Sequence, residues 1–491
     1  MNRLLLIPLL AANLVAAQID NKLIGAVKDG NATLVTTLLA QKANPKAAEA
    51  DGTTALHWAV RNNDLATATR LIRAGANVKA ANRYQITPLF LAAENGSAPM
   101  LELLLKSGVD PNAAVNLQET ALMTVARTGS VPAAKILLDH GAKIDTREEW
   151  HQQTALMWAV VEKHPDMVRE LIARGADVNA KSNVNTWERQ VTSEPRDKWM
   201  PLGGLTPLMF AAREGCLGCA QILADAKADL QVQDPHGVSA PLIAIINGHY
   251  DVAAYLVDKG ANPNLADDTG RTPLFSAVDF NTMPVSNRPS PEVLHNELSA
   301  LQLIQKLIDK GANVNAQLTK QQPYRVKLDR GDDTMLSAGT TPLVRAAKAA
   351  DVPAMKLLLA AKADVNMGTK AGITPLMAAA GMGSKEEDST GRFKTQEDAL
   401  EAIELCLKAG ADLNATNQQG QTALHAAAHS GFDKVIEFLA AHGAKLDVKD
   451  QKGFTAKDTA LGLAGGSGGF DGSRKDVHES TAALLTKLGA K

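Results

Sequence analysis

Two pairs of residues in this sequence have the spacing at which side chains do chemistry. His425 and His429 stand four apart, which on a helix puts both imidazoles on one face and within reach of one metal ion. A zinc site needs further ligands, and no nearby carboxylate or third histidine is in register to supply them. Cys216 and Cys219 form a Cys-x-x-Cys pair near a helix start, the spacing of dithiol redox centres. No strand-helix-strand pattern surrounds the pair and Cys219 falls on an apolar position, so packing is its expected role and a local disulfide the alternative. Acidic residues are scattered through polar turns, and the sequence holds no phosphate loop, zinc-protease helix or nucleophile elbow. The expectation is a non-enzyme with no catalytic residue, no cofactor and no metal.

The elements that carry these residues are set by an internal repeat. Thr-Pro-Leu or Thr-Ala-Leu, followed by small residues, recurs at Thr54, Thr87, Thr120, Thr154, Thr206, Thr272, Thr341, Thr374 and Thr422, with related starts at Ser239 and Thr455. The commonest step is 33 residues, and the longer steps mark insertions. One period before Thr54 lies Asn21, followed by the apolar Leu23, Ile24, Ala26 and Val27, which brings the count to twelve units. Each Thr is an N-cap acceptor for the free amides of a first helical turn, and Pro after it sits where its missing N–H costs nothing. Glycine 21 residues after the cap, at 75, 108, 141, 175, 260 and 443, closes a second helix in the left-handed conformation. Gly311, Gly410 and Gly489 do so after insertions, and Lys42, Lys227 and Lys362 replace the glycine in three units, whose ends should be slightly strained or differently closed. A helix pair this small cannot bury its apolar face alone and must stack on its neighbours.

Thr54-Ala55-Leu56-His57-Trp58-Ala59 and Thr422-Ala423-Leu424-His425-Ala426-Ala427, with Gly260-Ala261-Asn262 and Gly410-Ala411-Asp412, resemble the signature and closure of the ankyrin repeat family. The resemblance covers essentially all of 18–491. It implies an all-α solenoid of about twelve helix pairs, with first helices lining a concave face and turns projecting as fingers. It also places His425 in a structural slot. Elsewhere that slot holds Phe90, Met123, Met157, Met209, Leu242, Phe275, Val344 and Met377, where a side-chain bond to the turn should give way to packing.

By the same resemblance the position after this slot faces the concave surface. It reads Trp58, Leu91, Thr124, Trp158, Phe210 and Ile243, then Ser276, Arg345, Ala378 and Ala426. One helical turn on come Arg61, Arg127 and Arg213 in the first half. An apolar stripe edged by arginine has the composition of a protein-binding hot spot. Since the later units fill the slot with small residues, the large ones are expected to serve a ligand, with inter-repeat packing as the alternative. Insertions are expected near 181–202 and 318–338 in the turns, and near 281–297, 384–398 and 465–476 between helices. The first carries Trp187 and Trp199. The predicted partner is a protein, bound through the concave face and the finger loops; an extracellular peptide or glycan stacked on Trp158, Trp187 and Trp199 is the alternative.

Lys plus Arg number 51 against 53 Asp plus Glu, so no net basic charge points to nucleic acid. Aromatics are only 4%, so the apolar mass must be aliphatic and small, as thin, stacked helices require. Residues 1–17 read as a signal peptide: Arg3, the apolar Leu4 to Leu10, then Val15-Ala16-Ala17. Cleavage after Ala17 predicts export to a periplasm or beyond. No later stretch reaches the ~20 apolar residues of a membrane span, and a monomer is expected.

Overall fold

The computed structural model describes residues 18–186, 202–282, 296–320, 337–383, 394–463 and 477–491. Helices begin where the capping threonines stand. Thr87 and Thr206 are extended, their hydroxyls accept the Phe90 and Met209 amides at 3.2 and 3.4 Å, and Pro88 and Pro207 open the helices. Among the described residues there are 24 α-helices, paired within twelve repeats, and the extended segments are limited to isolated bridges such as Ala48 with Thr54 and Gln233 with Ser239. The second helices close as the glycine pattern requires. Gly75 has φ +97°, and Lys42, Lys227 and Lys362 take φ +63°, +66° and +66°, so the lysines adopt the glycine's conformation and carry its strain.

The chain forms two compact units: Met1–Val184 with Gly203–Asp229, and Asn185–Leu202 with Leu230–Lys491. Within each, the core repeats with the sequence. In the first unit Leu56, Leu89, Leu122, Leu156 and Leu208, two residues after each cap, are at most 1% exposed. Ala59, Ala92, Ala159 and Ala211 are fully buried and let successive helices approach closely.

Two hydrogen-bond ladders join neighbouring repeats. Past most helix-closing residues an Asn, Asp or Gln accepts the backbone N–H of the next repeat. In the first unit Asn112 accepts from Lys143 at 2.8 Å and Asn179 from Asp229 at 2.8 Å; in the second, Asn315 accepts from Asp364 and Asn366 from Asp412, both at 2.8 Å. The fingers form the other ladder, backbone to backbone: Arg83 N–H to the Asp51 carbonyl at 2.8 Å, Glu149 to Leu117 at 2.8 Å, Asn183 to His151 at 2.7 Å, and in the second unit Thr319 to Thr269 at 2.8 Å and Gln451 to Gln419 at 2.8 Å.

Both turn insertions leave and return through paired bases. Val184 bridges Gly203, and the Gly204 N–H donates to the Asn183 carbonyl at 2.8 Å. Leu318 exchanges bonds with Gly339 and Thr340 at 2.7 and 3.0 Å. The insertion expected over 384–398 ends as helix, because Gln396–Lys408 gains a turn behind its own Thr395/Asp398 capping box.

Candidate partner-binding surface

Because the caps fix where each first helix starts, the residue four after the cap recurs at one place on every repeat. In the first unit these positions are unequal in access. Trp58 and Trp158 are half-buried, Leu91 and Phe210 are buried, the latter at 2% exposure, and Thr124 is fully buried. Arg61 and Arg127 are exposed and Arg213 partly so.

Each ring in the row has a cation above it. Lys28 Nζ and Arg61 Cζ lie 4.2 and 5.7 Å from the Trp58 ring, Arg127 Cζ is 5.4 Å from Trp158, and Arg213 Cζ is 4.8 Å from Phe210. The two tryptophans differ at the indole nitrogen. Trp58 donates to Glu49 Oε2 at 2.9 Å, whereas the buried Trp158 N–H meets no acceptor among the described residues. An orphaned buried donor costs about 1–3 kcal/mol.

The expected row is thus corrected at three places. Leu91, Phe210 and, in the second unit, Ile243 at 7% exposure are packing residues, because the stacked neighbouring helices close over them. The contrast drawn between the halves also changes meaning. In the second unit Ser276, Arg345, Ala378 and Ala426 are at most 4% exposed, as are Asp279 and Lys348 one turn on. Arg345 Nε donates to Asp279 Oδ1 at 2.8 Å within this interior. Small residues there fill a closed space and are no measure of an open groove. Trp187 and Trp199 lie outside the described residues, as does the segment 1–17.

Of the pairs with chemical spacing, His429 is exposed, His425 is structural, and the two cysteines are bonded to each other. His425 accepts the Thr422 amide at Nδ1 (3.2 Å) and faces the Phe454 carbonyl with Nε2 (3.3 Å), so both nitrogens are engaged. His57 makes the same contacts to Thr54 (3.2 Å) and Ile86 (3.1 Å). Burial holds both imidazoles below their ordinary pKa, against the raising effect of the carbonyls. Where the slot holds methionine, Met123 Sδ takes the Thr120 amide at 3.5 Å. Among the described residues no group of three potential metal ligands gathers. Cys216 and Cys219 are joined in a disulfide, Cα to Cα 5.2 Å, which corrects the expectation of two separate packing thiols although Cys219 is fully buried. Burial pushes the Cys406 thiol up to about 12, which keeps it from acting as a nucleophile.

Sequence reasoning passed over the finger tips. Tyr84, Leu117, Trp150 and Val184 are 52, 54, 67 and 49% exposed, at steps of 33, 33 and 34 residues. The period that located the helices could have found them.

The family model for ankyrin repeats in three copies matches residues 23–115, 113–182, 208–287 and 394–468, and the single-repeat model matches 338–370. The chain belongs to the ankyrin repeat family. Members are in general non-catalytic and typically bind other proteins. This ankyrin chain is 26% identical over 233 residues to the B-cell lymphoma 3 protein homolog of Mus musculus, covering 46% of the chain and 40% of that protein. It is 27% identical over 152 residues to neurogenic locus notch homolog protein 1 of Homo sapiens, covering 28% of the chain and 6% of that protein. The chain therefore spans well under half the length of these curated relatives. Among solved structures it is similar to the human ASB11 ankyrin repeat domain, at 25% identity and TM-score 0.41, covering 49% of this chain and 98% of that one. Among the described residues no helix is long and apolar enough to cross a membrane.

Proposed function

We propose that the chain is an exported, monomeric, non-catalytic scaffold that holds a protein partner on the row bounded by Trp58 and Trp158, with Arg61, Arg127 and Arg213 beside it. By family resemblance this row lies on the concave face. One observation carries the reading. Trp158 is a half-buried aromatic under an exposed guanidinium, with an unanswered buried N–H, which a partner's carbonyl would complete as Arg127 swings aside. Tryptophan and arginine in one partly desolvated place are the residues that dominate protein interfaces. Export is supported by the Arg3, Leu4–Leu10, Val15-Ala16-Ala17 pattern and by the Cys216–Cys219 disulfide, a bond that persists in oxidising compartments.

The test is one variant measured twice. A partner captured from the envelope fraction should bind Trp158→Ala more weakly by about 2 kcal/mol, roughly thirtyfold, with the melting temperature little changed. A large melting shift with unchanged binding would make Trp158 a packing residue and sink the proposal.

A further inference from the structure

We propose that the Cys216–Cys219 disulfide is exchangeable: it takes two electrons from a dithiol on another polypeptide, and the reduced chain, with Cys216 capping a helix, is the more stable form of the fold. The bond joins residues three apart, the N-cap and the third residue of the helix Leu217–Asp225. It therefore ties a helix to its own first turn and no element to another. Closing so short a loop constrains the unfolded chain little, and that constraint is the main contribution of a structural disulfide.

The other repeats build the same helix start without a covalent bond. Their cap is Asn31, Asp64 or Asp351, whose side-chain oxygen accepts the amide three residues on at 3.0, 2.9 and 3.2 Å. The backbone at Cys216 (φ −79°, ψ 83°) matches Asp64 (φ −86°, ψ 88°) and Asp351 (φ −78°, ψ 76°). At the third helical position they carry Met100, Ala133, Met167 or Ala354, all fully buried. Cys216 thus stands where other repeats place an acceptor or an anion, and Cys219 where they place an apolar side chain.

This division sets the redox chemistry. Cys216 Sγ accepts the Cys219 N–H at 3.2 Å. A thiolate at that place accepts more strongly, because its charge lies at the positive end of a nine-residue helix, as the carboxylate of Asp64 does in its own repeat. Whatever stabilises the thiolate stabilises the reduced form and makes the disulfide a stronger oxidant. Access gives the reaction a direction. Cys216 is 7% exposed and Cys219 fully buried, so Cys216 Sγ is the sulfur an incoming thiolate reaches. That thiolate attacks Cys216 Sγ and forms a mixed disulfide while the Cys216–Cys219 bond breaks, and the bond's electron pair leaves on Cys219 Sγ, which takes up a proton in its buried site. The partner's second thiolate then attacks its own bridged sulfur, the mixed bond breaks, and Cys216 departs as the capping thiolate. Of the two protons lost by the partner's thiols, one is on Cys219 and one in solvent. The partner leaves as a disulfide.

The probe is a synthetic peptide with the chain's own sequence Gly-Cys-Leu-Gly-Cys-Ala, which has the same loop and no helix. Oxidised full chain and reduced peptide are brought to equilibrium at pH 8.5, quenched with acid, and weighed by mass spectrometry. Reduced chain with oxidised peptide should be favoured by at least about tenfold. Cys406 stays silent, because burial holds its thiol at about 12. Cys219→Ala, a residue this position already holds at Ala133 and Ala354, isolates the Cys216 thiol, and its thiolate absorbance at 240 nm should titrate below about 7, against about 8.5 for an ordinary thiol. Cys216→Asp copies the cap of Asp64 and should melt above the oxidised wild type. An exchange constant at or below one, a Cys219→Ala titration at 8.5 or higher, or a Cys216→Asp melt below the oxidised wild type makes the bond structural and overturns the proposal.

Discussion

Replacing His57 by methionine removes a cross-repeat hydrogen bond without emptying its slot, since buried methionines occupy the same position at 123, 157 and 209. Nδ1 of His57 accepts the Thr54 amide, so the proton resides on Nε2 and is donated to the Ile86 carbonyl at 3.1 Å. A bond between neutral groups contributes about 1 kcal/mol net, and the exchange should lower stability by about that much at pH 7.5. The pH dependence is the sharper measure. Burial depresses the folded-state pKa below 6.5, so below that pH the unfolded chain takes up a proton that the folded chain refuses. The stability contributed by this group is thus present above pH 6.5 and lost on acidification, at up to about 1.4 kcal/mol per pH unit. Urea titrations followed by circular dichroism at pH 7.5, 6.5 and 5.5 should show the advantage of the wild type over His57→Met shrinking as pH falls. His425→Met should behave likewise in the second unit, because burial depresses that imidazole too. A gap that stays constant or widens toward pH 5.5 refutes the assignment of a neutral, buried ring.

Three further outcomes are expected. Lys362→Gly should raise stability by about 1 kcal/mol in thermal melts, because the lysine occupies φ +66° where most repeats have glycine. Gly270→Ala should lower it by about 3 kcal/mol, since a Cβ at φ +81° would stand 2.7 Å from both the Gln317 oxygen and the Thr319 nitrogen of the next finger. N-terminal sequencing of native protein should begin at Gln18; recovery of Met1 would reject export.

What could be read in the sequence was whatever is encoded within a few residues. The Thr-Pro caps and closing glycines are local conformational demands, so helix starts and ends followed from them, including the left-handed lysines at 42, 227 and 362. Burial across repeats is not local. Nothing near Arg345 announces that its carboxylate partner is Asp279, 66 residues earlier, and a position that reads as a charged surface residue proves to be interior. Phe210 misled for the same reason, since an aromatic in a helical register is equally at home in a groove or beneath a neighbouring helix. Tyr84, Leu117 and Trp150 sit three or four residues before their caps, and Val184 at the base of an insertion, in turns where neither helical nor strand periodicity operates, and only comparison between repeats isolates them.

The closed bases beneath the turn insertions bear on how such a protein changes over generations. At Ser182–Leu205 and at Leu318–Thr340 the chain departs and re-enters through hydrogen bonds that repeats without extra residues also make, as Glu49 to Thr53 and Asp267 to Arg271 do. The neighbouring contacts, Asn183 to His151 and Thr319 to Thr269, pass beside those bases. New sequence can therefore be spliced in, lengthened or exchanged at either place while the interlocks between repeats persist. Each base works as a cassette slot, where recognition can diversify under little constraint from folding and where a protein engineer would first graft a foreign loop.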